Sequence, residues 1–184
     1  MIPQTDTAAS IADPRQIDEI EADTIADMYL TFALGDEEYG VGIAGVTEIV
    51  GMQRIMPIPD MPPYLKGVIN LRGAAVPVLD LGVRFRGERT VQTSRTCFVI
   101  LEVQANAGGK PVGIIVDAVS EVLEIADQDI EPSLNFGTDV RADFLLGIGK
   151  LESGFVLLLD IGRVLSLEQV DVLATLDPLL PSTA

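Results

Sequence analysis

The chain has 184 residues with 28 acidic and 12 basic side chains, no histidine and one cysteine, giving a formal charge of −16. That balance disfavours general binding to nucleic acid or to anionic membranes, which depend on cationic surfaces. The missing imidazole removes the commonest general base and transition-metal ligand, and the lone Cys97 closes no internal disulfide, as in a reducing compartment.

Residues 1–27 hold seven acids (Asp6, Asp13, Asp18, Glu19, Glu21, Asp23, Asp27) against Arg15 and read as an acidic disordered tail. Such a segment buries too little apolar surface to offset the entropy of ordering it. A chain starting near Asp27 is therefore expected to keep its cooperative thermal melt; loss of that melt would make the tail structural. No basic segment followed by an apolar stretch opens the chain, and no apolar run approaches ~18 residues, so neither a signal peptide nor a membrane span is expected. The expected location is cytoplasmic.

From Met28 the chain becomes a series of short β-branched runs broken by Gly, Pro, Asp and Asn, which predicts an all-β protein. Strands are predicted over 29–34, 38–43 and 46–50. The segment 56–63 carries four prolines and must be an extended connection. Strands over 67–71 and 74–81 meet at Arg72-Gly73, the composition of a tight hairpin. Pro77 inside the second of these suggests an edge or a bulge. The second half gives strands over 98–104, 112–116, 119–125, 145–151 and 155–161. Cys97 opens an apolar run, so a buried structural thiol is expected there. In 166–184, Ser166-Leu167-Glu168-Gln169 has capping-box spacing before Val170, Leu173 and Leu176, which predicts an amphipathic helix.

The chain also repeats itself. Residues 67–82 return as 147–162 with six identities in sixteen pairs, and 40–50 return as 113–123. Two copies do not make a solenoid or a propeller. A five-strand unit of ~65 residues buries a core only by curling into a small barrel. Two packed barrels are therefore predicted, the first over 28–95 and the second over 96–165.

Catalytic chemistry is hard to assemble from these residues. No phosphate-binding loop is present, because Gly147-Ile148-Gly149-Lys150 lacks both the glycine spacing and the hydroxyl. Asp80 and Asp160 each end an aliphatic strand, where an aspartate caps the next turn far more often than it holds magnesium. No catalytic residue, cofactor or metal site is expected. Residues 54–95 reverse the charge sign with Arg54, Lys66, Arg72, Arg84, Arg86, Arg89 and Arg95, which suits either solvated loops or an acidic protein partner.

Gly35-Asp36-Glu37-Glu38-Tyr39-Gly40, Val46-Thr47-Glu48-Ile49, Ile58-Pro59, Lys66-Gly67-Val68-Ile69-Asn70-Leu71-Arg72-Gly73 and Val76-Pro77-Val78-Leu79-Asp80-Leu81 resemble the CheW family of bacterial chemotaxis coupling proteins. Residues 112–123 and Leu146-Gly147-Ile148-Gly149 continue the match, which runs from about Tyr29 to Leu167. The resemblance implies two five-stranded SH3-like barrels. It implies a non-enzymatic adaptor between chemoreceptor tips and the regulatory domain of a CheA-type histidine kinase. It places receptor contact at Val46, Glu48, Arg72 and Val122, with the two valines as aliphatic wall and Glu48 paired with Arg72. It associates Gly67 with kinase coupling, although Gly147 at the repeat-equivalent position equally suits a backbone role. An isolated regulatory domain of a CheA-type kinase is the alternative; a purine-nucleotide-binding protein is more distant.

Overall fold

The computed structural model describes residues 25–105, 108–132 and 144–165. The acidic segment up to residue 24 and the helix predicted after residue 165 lie outside them. Eleven strands are described: β1 (Met28–Leu34), β2 (Glu37–Gly42), β3 (Val46–Gly51), β4 (Leu65–Leu71), β5 (Ala74–Asp80), β6 (Cys97–Ala105), β7 (Gly108–Val116), β8 (Ala118–Glu124), β9 (Ile130–Glu131), β10 (Leu145–Leu151) and β11 (Gly154–Leu159). Two short helices, α1 (Leu81–Arg86) and α2 (Ile161–Val164), follow β5 and β11 where only strand ends were predicted.

The strands form two sheets, ordered β8-β1-β2-β11-β10-β9 and β3-β6-β7-β5-β4. One predicted barrel of five strands thus carries a sixth, the two-residue β9. Its counterpart in the other sheet is a single bridge, Met56 to Val68.

The predicted division into 28–95 and 96–165 does not match the sheets. Those segments are the sequence repeats, but each sheet draws strands from both. The repeat-equivalent strands β3 and β8 pair in the opposite repeat's sheet, β3 with β6 and β8 with β1. The cause is local. Only Asp117 separates β7 from β8, and one 3-10 turn (Ile43–Gly45) separates β2 from β3. Each near-continuous strand bends and changes sheet, which is how sandwich corners are made. At one corner Asp117 donates its amide to Ala33 O and accepts from the Gly35 amide.

Burial follows from this arrangement. Ile69, Val76, Val78, Phe98, Ile100 and Ile115 fill one barrel, and Tyr29, Ile125, Val156 and Leu158 fill the other. Between them lies a larger core that includes Leu30, Phe32, Tyr39, Leu79, Val99, Ile114 and Leu159. Strand β6 alternates between barrel interior (Phe98, Ile100) and the shared core (Val99, Leu101), so it is apolar on both faces. Rings of Phe32, Tyr39, Phe85 and Phe144 stack in series at 5.6–6.2 Å, and the Arg84 guanidinium lies 4.8 Å from the ring centres of both Tyr64 and Phe144.

Of the edge or bulge expected for Pro77, the edge is not found: β5 is an interior strand, and the register shift in its ladder with β4 falls next to Pro77, between Val78 and Leu79. The proline is tolerated because the ladder from β5 to β7 begins only at Val78. Cys97 is partly buried, and burial pushes its thiol up, away from the reactive thiolate.

Asp80 caps α1. It is buried, and its carboxylate accepts from the amides of Gly82, Val83 and Thr90 and from the Thr90 hydroxyl at 2.9–3.3 Å. Asp160 caps α2 in the second repeat. Asp80→Ala leaves several of these donors without an acceptor and is expected to cost about 2–4 kcal/mol. A denaturant melt checks this, with Asp80→Asn falling between the two.

Candidate receptor-binding site at the barrel seam

The most diagnostic sequence motif, Asn70-Leu71-Arg72-Gly73, owes its residue types to turn geometry. Arg72 and Gly73 both have positive φ (53° and 87°), as required at the centre of the commonest two-residue hairpin turn. Gly73 takes that conformation without strain, and its amide is held by Asn70 Oδ1 at 2.7 Å. Arg72 has a Cβ and is disfavoured there. An asparagine or a second glycine would suit the turn better, so turn geometry by itself does not account for the arginine.

That side chain reaches the far edge of the same sheet. Arg72 donates from Nη1 and Nη2 to Glu48 Oε1 and Oε2 at 2.6 and 2.7 Å, a two-pronged match of guanidinium to carboxylate. Glu48 lies on β3 and Arg72 directly follows β4, the two outer strands of the five-stranded sheet. The pair therefore clasps the seam where the curled sheet meets itself. The Arg72 side chain is 74% exposed and that of Glu48 24%, so the guanidinium retains free surface.

The hydrogen bond from Arg72 holds the Glu48 carboxyl below its ordinary value of 4.5, and the same bond raises the guanidinium. Because the folded value is depressed, whatever the pair contributes is present above pH 4.5. It is lost as the pH falls through the lowered value. A carboxyl-observed NMR titration should place Glu48 below 4.5, and Arg72→Ala should return it toward that value. A wild-type Glu48 titrating at 4.5 would remove the clasp.

Val46 lies on the same strand, half-buried against the shared core. Val122 is 44% exposed on β8, the outer strand of the other sheet, opposite Leu30. The structure thus joins Glu48 to Arg72, sets Val46 beside Glu48, and puts Val122 on the second barrel. Ile49 was missed. It follows Glu48, is 46% exposed, and is the repeat equivalent of Val122. Matching 40–50 to 113–123 was the signal that could have found it.

Gly67 lies on β4, at the bulge in its ladder with β5. Its φ is +141°, and a Cβ there would fall 2.0 Å from Met56 O and 2.9 Å from Pro57 Cα. Met56 exchanges two backbone hydrogen bonds with Val68, so the proline-rich segment lies directly against this glycine. Gly147 has the matching role beside β9, where a Cβ would meet Glu131 O at 2.5 Å.

No group of three acidic or cysteine side chains able to hold a metal occurs among the described residues, and none of their helices is long and apolar enough to cross a membrane.

A family model for the CheW-like domain matches residues 28–169. The chemotaxis protein CheW of Klebsiella aerogenes is 36% identical over 154 residues, covering 84% of this chain and 90% of that one. The CheW protein of Rhizobium meliloti is 34% identical, covering 76% and 88%. The crystal structure of the scaffolding protein TtCheW from Thermoanaerobacter tengcongensis superposes with a TM-score of 0.69 at 32% identity, over 77% of this chain and 88% of that one. The family model spans most of the chain and the relatives match over most of their length, so the chain belongs to the CheW-like family.

Proposed function

We propose that this chain is a non-enzymatic adaptor coupling chemoreceptor signalling tips to the regulatory domain of a CheA-type histidine kinase. The observation that carries the reading is the Glu48–Arg72 clasp, an exposed cation held by a two-pronged ion pair. A receptor tip is helical and presents an apolar stripe with charged flanks. Val46, Ile49 and Val122 supply aliphatic surface for the stripe, and Arg72 supplies a directional donor for a receptor carboxylate. Pairing with Glu48 holds the guanidinium in place, which reduces the entropy lost on binding.

Kinase contact is assigned to the outer strand β4. Gly67 acts there through shape, by letting the Met56–Pro57 segment lie flat along the strand. The absence of histidine from the whole sequence supports an adaptor over a kinase, which needs a phosphoacceptor imidazole. The names carried by the relatives support the coupling protein over a kinase's own regulatory domain. Recruitment to membrane-associated receptor arrays follows from the two contacts and needs no membrane insertion.

The test is reconstitution. Phosphorylation by a purified CheA-type kinase should rise when receptor cytoplasmic fragments and this chain are both present, and not when either is omitted. Kinase activity indifferent to the chain would defeat the proposal.

A further inference from the structure

The ladders between strands divide in an unusual way. Among the described residues, the first repeat pairs the hairpins β1–β2 and β4–β5 and the single Met56–Val68 bridge, and β3 has no ladder within its own repeat. The second repeat pairs β6–β7, β9–β10 and β10–β11 and leaves β8 alone. Every ladder that joins these pieces into sheets runs between repeats: β1–β8, β2–β11, β3–β6 and β5–β7. The shared core is likewise mixed, with Leu30, Phe32 and Leu79 packed among Val99, Ile114 and Leu159. An isolated hairpin is marginal in water, and the two-residue β9 adds little to the β10–β11 hairpin, so neither repeat builds a stable sheet alone.

The covalent connection between repeats is slight by comparison. It runs through 87–95, where all but Thr90 is exposed. Asp80 holds Thr90 on one side, and a Thr93–Thr96 turn starts the other, leaving Val91 and Gln92 between the two anchors. Val91 is an exposed aliphatic side chain with no place in either barrel.

We propose that a second copy of this chain is a binding partner: the first repeat of one copy completes both sheets with the second repeat of the other. The product is a strand-exchanged dimer whose two units each keep the fold of the monomer. Every ladder is preserved in the exchange, and only the path of the linker changes. Because the ladders are the same, linker geometry and concentration decide between monomer and dimer. A short linker gives the partner repeat an effective concentration of about millimolar, so the monomer prevails in dilute solution and the dimer forms on refolding near that concentration.

The experiment uses the full chain with a protease site inserted between Val91 and Gln92. Equal amounts of ¹⁵N-labelled and unlabelled protein are unfolded together in urea, refolded at about millimolar concentration, and separated by size. Cleaving the folded dimer should release units of monomer mass. Native mass spectrometry should find about half of all units carrying one heavy and one light repeat, as random reassortment requires. Monomers cleaved first, then unfolded together and refolded, should give the same hybrids independently of the linker. A chain that refolds only as monomer, a dimer that survives cleavage, units of a single isotope, or cleaved repeats that fall apart would each overturn the proposal.

Discussion

Arg72→Ala is expected to leave the melting temperature within about 2 °C of wild type while weakening binding to a receptor cytoplasmic fragment about 30-fold. The two effects separate because the guanidinium contributes differently to each. In the free protein the clasp with Glu48 is solvated and screened by salt, and exposed pairs of this kind add little to stability. The turn itself is unchanged, since alanine carries the same Cβ at positive φ and gives up no contact that the backbone needs. On the proposed function, the same group becomes a desolvated, oriented donor against a receptor, and such anchors dominate interfaces. Arg72→Lys should recover only part of the affinity, because an ammonium cannot grip Glu48 with two prongs. Arg72→Gly should melt at or slightly above wild type, as glycine fits the positive φ, and should bind as weakly as the alanine variant. Unchanged affinity in folded Arg72→Ala protein would remove Arg72 from the site. A large drop in melting temperature would make the clasp structural instead.

Gly67→Ala should have the opposite profile, a stability loss of about 3 kcal/mol, or roughly 10 °C in melting temperature. Two costs combine. An alanine at φ +141° is strained, and its methyl would enter the space held by the Met56 carbonyl and Pro57. The proline-rich segment must then lift from β4, breaking the two Met56–Val68 hydrogen bonds. Kinase binding should fall because the edge changes shape. A stabilising substitution elsewhere should restore the melt without restoring kinase binding. Gly147→Ala is the control: it meets Glu131 and Ile130 but has no positive φ, so its loss should be smaller. A Gly67→Ala protein that melts like wild type would refute the backbone account, and restored kinase binding in the stabilised variant would refute the edge-shape account.

Sequence reasoning found the turn and the caps because their requirements are local, while Val46, Glu48, Arg72 and Val122 were named from the family resemblance. Arg72-Gly73 reads as a turn from composition, and Asp80 and Asp160 read as caps from their place after aliphatic strands. It did not mark Ile49 as a surface residue, since β3 carries aliphatic side chains on both faces and which face is covered is decided by what packs on it. It overvalued Pro77 as an edge marker, because where the β5–β7 ladder begins is set by two strands far apart in sequence.

The sequence by itself determined that this protein is all-β, that residues 40–162 hold two related repeats, and where most strands run. Periodicity, turn residues and internal identity are properties of short segments, and they survive without knowledge of the partner strand. Only the tertiary structure decided which strands share a sheet. The repeats carry equivalent edges, so the apolar pattern of β3 would be met equally by β1 of its own repeat or by β6 of the other. The sharp corners at Ile43–Gly45 and Asp117 turn β3 and β8 across, and pairing between repeats follows. The same long-range choice brings Glu48 to Arg72, because a seam exists only once the sheet that bears both has curled.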